Sequence, residues 1–245
     1  MVINMNLNYF SITYWFNIFA DHSNFLNILS DYFKDEFQSL NIKNQTNNLV
    51  EPIIIAFNNE KKTNINMSQI NLQYNMDNVS LKNFEEFKNK ALEIFELLNL
   101  NNVIVSHVEI LINGEKICEN ALEMVIKNTI NPNIVDKDIV DTTLKIGKKY
   151  DDLFYKVITI LNKKQIKLPK KIDEHGRVVP IPLISWNGAL VENELVDISY
   201  EINDKYSFDF TKNYHTTTFY LNKMLYILEN DFESDIKNLL ENGYI

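Results

Sequence analysis

The sequence predicts an α+β fold, an antiparallel-dominated sheet packed against three main helices around residues 22–40, 81–99 and 215–240. The first observation is the stretch from Ile70 to Gly114. Apolar residues alternate there at Ile70, Leu72, Tyr74 and Met76, then recur every three or four residues along SLKNFEEFKNKALEIFELLN, then give way to a second strand, NNVIVSHVEILING. A period of two lines one face of a strand, and a period near 3.6 lines one face of a helix. The second observation is the core-forming content: 45% hydrophobic residues, with fifteen Phe and twelve Tyr. Each such ring removes roughly 150–250 Å² from water when buried. The third is the scarcity of Gly and Pro, five of each, which leaves few positions for the positive φ that phosphate-cradling loops require.

The elements follow in order. Tyr9 to Phe19 is aromatic and β-branched and reads as the first strand. Asp21 or Ser23 caps a helix whose stripe is Phe25, Leu29, Tyr32, Phe33, Phe37 and Leu40. A short buried strand runs from Pro52 to Phe57, and Asn58-Asn59 with Lys61-Lys62 makes a turn before the strand that ends near Met76. The second helix begins after Ser80, with Phe84, Phe87, Ala91, Ile94, Phe95 and Leu98 inward and Glu85 and Glu86 in the first turn, where the helix dipole favours acids. Strand Val103 to Ile112 then leads to an expected turn at Asn113-Gly114. A short helix over 121–128, strands over 153–161 and 195–202, a strand ending near Trp186, and a long last helix complete the chain. That helix carries the stripe Thr218, Leu221, Leu225, Leu228, Phe232, Ile236 and Leu239. No Pro/Gly/Ser-rich linker interrupts the chain, so a single domain over 1–245 is expected. The similar content of 1–114 and 115–245 suggests pseudo-duplicated halves.

Composition bounds the partners. Asn is abundant and Arg177 is the only arginine, so the Asn clusters read as turn and surface residues. The net charge of −9 disfavours a long nucleic acid, whose backbone needs a basic stripe. The N-terminus lacks a signal-peptide pattern and no apolar run is long enough to span a membrane, which sets a cytoplasmic expectation. Cys118 stands alone, without a disulfide partner or metal-ligand spacing.

The pattern Gln69-x-x-Leu72-x-Tyr74, the helix NFEEFKNKALEIFELL, the strand VSHVEILIN through Asn113, the strand VDISYEIN and the segment Asp231-Phe232-Glu233 together resemble a sporadically distributed, uncharacterised prokaryotic protein family. The resemblance implies no catalytic residues. Its sporadic distribution implies an antiviral-defence or mobile-element setting.

One segment has the composition of a binding site. Asp173-Glu174-His175-Gly176-Arg177 follows Lys163, Lys164, Lys167, Lys170 and Lys171. Lysines and an arginine neutralise and orient phosphate, and a carboxylate beside an imidazole can move a proton. Trp186 downstream would stack on a base. The same residues also build a solvated hairpin tip in which Gly176 supplies positive φ. His107 and Glu109 share a sheet face and with His215 would make a metal set, although a His hydrogen-bonded to Glu is the plainer arrangement. Glu86-Phe87-Lys88 matches part of a nuclease motif but falls on a helix. Asp151-Asp152 is an acidic pair at a strand start, and His215 to Thr218 opens the last helix with a threonine cap.

These readings lead to a non-enzymatic protein-binding protein with a protein partner, a homodimer among the expectations because aromatics are enriched in interfaces. No catalytic residue, metal or cofactor is implied. The alternative is a nucleotide- or phosphodiester-binding sensor or enzyme using Lys170, Lys171, Asp173, His175, Arg177 and Trp186.

Overall fold

Alternation builds the first strand: along β1 (Asn6–Phe16) the buried Phe10, Ile12, Tyr14 and Phe16 alternate with half-buried Tyr9, Thr13 and Trp15. The computed structural model describes residues 5–16, 22–37, 39–42, 49, 51–118, 121, 125, 143–150, 154–167, 170–172, 176–180, 190–204 and 215–242. After β1 come α1 (His22–Phe33), β2 (Ser39–Ile42), β3 (Ile54–Asn58), β4 (Thr63–Met67) and β5 (Asn71–Asp77). A 3₁₀ turn (Leu81–Asn83) leads into α2 (Phe84–Leu100), followed by β6 (Val105–Ile117). The rest comprises β7 (Thr143–Tyr150), β8 (Phe154–Lys167), β9 (Lys170–Ile172), β10 (Val178–Pro180), β11 (Leu190–Asn203) and α3 (Thr218–Asn242).

Among the described residues nine strands form one sheet in the order β2-β3-β4-β5-β1-β6-β11-β8-β7, and β9-β10 is a separate hairpin. Every strand pair is antiparallel. The α+β class and the antiparallel sheet expected from the sequence are therefore present. Directly paired residues share a sheet face, so one register row carries Ala56, Ile65, Tyr74, Ile12, Ile110 and Ile202, all buried. Helices α2 and α3 cover this face. Phe10 meets Phe84 and Phe87, Tyr74 stacks on Phe87 at 5.8 Å, and Tyr200 meets Phe232 edge-on at 5.3 Å. The Tyr14 hydroxyl donates to the Ala91 carbonyl oxygen, which places a buried phenol against the helix backbone rather than leaving it unpaired.

The structure corrects several sequence expectations. The first helix ends at Phe33, not Leu40, because the Glu36 and Phe37 amides both donate to the Phe33 carbonyl and the chain then turns into β2. Leu40 pairs with Ala56 instead. The segment read as one turn and one strand holds two strands, β4 and β5, so β4 is an addition. Asn113-Gly114 is not a turn but the middle of β6, paired with Ser199 and Ile198. Gly114 is required there by close approach: a Cβ would lie 2.9 Å from the Asn6 carbonyl oxygen. The short helix expected over 121–128 shows at Ala121 and Val125, both helical and buried. Asp151, Asp152 and Trp186 lie outside the described residues.

Candidate functional site

The helical layer presents the most conspicuous surface. Lys88 on α2 lies 3.3 Å from Glu229 on α3, while the Thr216 amide just before α3 donates to the Val105 carbonyl just after α2. The two helices therefore run antiparallel, with the end of α2 beside the start of α3. At that corner stand Leu100, Ile104 and Phe219, with Tyr226 two turns further along α3; they are exposed by 80%, 63%, 68% and 65%. They are the described large apolar side chains with more than 60% of their surface in water. A groove of about 380 Å³ runs beside the α3 pair, lined by Lys88, Phe219, Asn222, Lys223, Tyr226 and Glu229. Phe219 and Tyr226 are seven residues apart on α3, two helical turns, and so share one stripe. Lys223 leans over the Phe154 ring at 5.7 Å, and Lys88 bridges Glu85 and Glu229, so cations frame the apolar strip.

Two buried polar clusters fasten this layer to the sheet. Lys156 on β8 sits under α3 with its Nζ 2.6 Å from Asp235 and 3.2 Å from Asp231, over the Tyr150 ring. The Tyr200 hydroxyl donates to Asp235 at 2.7 Å. Burial, then the hydrogen bond to Asp235, raises the Tyr200 phenol well above its usual range, so it acts as a donor and not a base. The second cluster centres on Asp204, which is fully buried. Its carboxylate accepts from the Val108 amide at 3.0 Å and the Thr216 hydroxyl at 2.5 Å, and it pairs with Nδ1 of His107. Among the described residues His107 Nε2 is buried with no hydrogen-bond partner, and so is Nε1 of its cross-strand neighbour Trp15. His107 is tied to Asp204 rather than to Glu109 as the sequence suggested, and His215 is exposed. Among the described residues no group of three His, Cys, Asp or Glu side chains could hold a metal ion.

The predicted 163–177 site is brought together only in outline. Lys170 and Lys171 fall on β9, paired with Pro180 and Val179 of β10. Gly176 has φ +75° and Arg177 is exposed, so this part of the connection has the backbone expected of a hairpin tip. Asp173 and His175 lie outside the described residues, as does Trp186. Cys118 is half-buried, and that burial raises its thiol pKa, against a nucleophilic role. Glu86 and Lys88 stand on α2 as expected, in ion pairs with Lys61 and with Glu85 and Glu229.

The opposite face of the sheet is polar. Its rows carry Asp77, Tyr9, Asn113 and Ser199, and Gln73, Thr13, Glu109 and Asn203. The amides bond one another: Asn75 and Asn66 both donate to Asn64, and Gln73 donates to Ser11. Glu109, Glu115, Asp197 and Glu201 give its centre a negative character. The corner of exposed apolar residues was missed in the sequence because Leu100, Ile104, Phe219 and Tyr226 belong to runs that already have an inward stripe. Only the structure shows that these leftover apolar positions are left in water.

Compared with known proteins, the chain matches no family model and no curated protein sequence. No helix of the described residues is long and apolar enough to cross a membrane.

Proposed function

We propose that the protein is a protein-binding module that works through the corner of its helical layer. One observation carries this reading: Leu100, Ile104, Phe219 and Tyr226 are the most exposed large apolar side chains described, and they stand on the helical layer, the first three near the junction of α2 with α3 and Tyr226 two turns along α3. Scattered exposed apolar residues are ordinary on a monomer, whereas Phe219 and Tyr226 share one stripe of α3 along a single groove, and exposed apolar surface of that kind marks interaction sites. Aromatic side chains add to this, because Phe and Tyr are enriched in the buried centres of interfaces. The polar clusters found at Lys156 and Asp204 support a binding rather than a catalytic role, since both are enclosed and consumed in fastening elements together. A protein partner or a second copy of the chain would cover the patch. The antiviral-defence or mobile-element setting belongs to the same proposal and is supported by the family resemblance alone.

The test compares the wild-type chain with the Phe219→Glu/Tyr226→Glu variant. Both positions face solvent, so the variant is expected to melt within a few degrees of the wild type, as surface changes away from caps and cores usually stay within about 0.5 kcal/mol. It is expected to lose the stoichiometric partner recovered from the native host by the wild type, or to shift a dimer to monomer in light scattering. Retention of the same partner and mass by the variant would overturn the reading.

A further inference from the structure

A groove at the far end of α3 has the features of a second, distinct site. It lies where the beginning of β1, the Asn78–Lys82 connection and the second half of α3 meet, and it encloses about 540 Å³. That is within the range of roughly 300–1,000 Å³ that holds drug-sized ligands. From Tyr226 to Phe232 α3 rises roughly 9 Å, so the groove begins beyond the exposed apolar residues on the same helix.

Its construction is specific. A register shift between Leu7 and Tyr9 bends the start of β1 across β6, and Gly114 permits that crossing because any side chain there would strike the Asn6 carbonyl oxygen. Leu7 and Val79 line one part, with Leu81 at the mouth, and Phe232 and Ile236 line the α3 side. Phe232 is held by its edge-on contact with Tyr200, so that wall is fixed. Two charged side chains line the groove, Lys82 and Glu233. They also flank an adjoining cavity of about 160 Å³. Both are exposed, and neither makes an ion pair or a side-chain hydrogen bond among the described residues. The surrounding charges on α2 and α3 behave differently: Lys88 is committed to Glu85 and Glu229, and Asp231 and Asp235 to Lys156. Asn6, Asn78 and Ser80 line the groove as well, so it offers apolar walls, peptide-like polar groups, one unengaged cation and one unengaged anion, which matches a ligand with apolar side chains, amide groups and both charges.

We propose that this groove binds a short apolar peptide with free ends, about three residues long. Its carboxylate faces Lys82, its ammonium faces Glu233, and its side chains lie on Leu7, Val79, Phe232 and Ile236. Charge-assisted contacts fix the direction of such a ligand, and apolar burial supplies most of its affinity.

Calorimetry on the full chain tests this with trileucine, trivaline and methionyl-leucyl-phenylalanine as probes. At least one is expected to bind at up to millimolar concentration. Amidating its carboxyl end or acetylating its amine is each expected to weaken binding about five- to ten-fold, in line with one lost charge-assisted hydrogen bond in a wet site. Lys82→Ala is expected to weaken the free peptide by a similar factor and to abolish the further effect of amidation, while leaving the effect of acetylation intact. Glu233→Ala is expected to show the reverse pattern. Both positions are exposed, so the melting temperature serves as the folding control. Absence of binding by all three probes overturns the proposal, as does binding indifferent to the end groups or to both substitutions. The Phe219→Glu/Tyr226→Glu variant is expected to bind the peptide normally, which keeps this test independent of the apolar corner.

Discussion

Single residues decide how the ends of the strands are closed. Asp204 directly follows β11, yet it is fully buried because the Val108 amide, the Thr216 hydroxyl and His107 all converge on its carboxylate. Asp204→Ala leaves those groups buried without an acceptor. It is expected to cost about 3 kcal/mol in urea unfolding, the scale for removing one partner of a buried charged network. A loss below 1 kcal/mol would show that the cluster is dispensable. None of this was legible in the sequence, since Asp204 stands in the polar run Asn203-Asp204-Lys205 and its partners are a strand and a helix start far along the chain. Asn58 makes the same point at a turn. Its side chain accepts from the Glu60 and Lys61 amides and donates to the Glu36 carbonyl, so an Asn read as surface filler is a buried turn residue. Cys118 is half-buried beside Lys116 and against Glu194 and Val196 of the neighbouring strand, and its burial raises the thiol pKa.

At the scale of elements, helices were more legible than strands. α2 was readable nearly to its ends because seven buried residues recur at helical spacing and Ser80 donates to Asn83 at its start. β4 was invisible because TNINM buries only Thr63, Ile65 and Met67 and is paired on both sides, so five residues suffice. What positions α3 is also not apolar alone. Lys156 pins it through Asp231 and Asp235, and Tyr200 completes the set. Lys156→Met alone is expected to cost about 3–5 kcal/mol, because it leaves Asp235 enclosed with no cation. Lys156→Met with Asp235→Leu and Tyr200→Phe is expected to recover most of that loss, since a well-packed apolar replacement of a buried pair is often neutral. Chemical denaturation of the two variants separates these outcomes, and an equally unstable triple variant would refute the account. α1 is tied to α2 by Lys90, which bridges Glu36 at 2.7 Å and Glu93, while Tyr32 donates to Glu93. For Glu93, burial raises the carboxyl, but the hydrogen bonds from Lys90 and Tyr32 outweigh it and hold the value below normal. Its contribution is then present above the unfolded value of about 4.3 and lost as pH falls through the folded one. Lys90 is opposed by burial and raised by Glu36 and Glu93, so its contribution is full below about 10.4 and lost as pH rises through the folded value. Stability measured against pH in Lys90→Met is therefore expected to be flatter than wild type at both limbs, and unchanged curvature would count against the tie.

The whole molecule is organised about the β1–β6 seam. Reading outward from it among the described residues, one side runs β1, β5, β4, β3, β2 and the other runs β6, β11, β8, β7. Each side begins with a strand followed by helical residues and closes with a long helix packed on its own strands, α2 or α3. The strand order is alike on the two sides except for β2, and the 1–114 and 115–245 halves suggested by composition would divide within β6. The two units are nevertheless expected to fold as one. The seam pairs β1 with β6 from Asn6 to Phe16, and one continuous buried cluster includes Phe10 and Phe87 from one side and Tyr200 and Ile236 from the other. Severing the chain before β6 would expose the full edge of β1 and uncover Ile110 and Ile112 on the other side, a long apolar-faced edge of the kind that aggregates. Urea unfolding followed by far-ultraviolet dichroism and by the fluorescence of the two tryptophans, Trp15 and Trp186, is expected to give coincident single transitions. A fragment of residues 1–103 is expected to be unfolded or insoluble on its own. Two resolved transitions, or a soluble and cooperatively folded fragment, would show that each unit carries its own sufficient core and that the seam joins two domains after folding, because only then could β1 tolerate the loss of its partner.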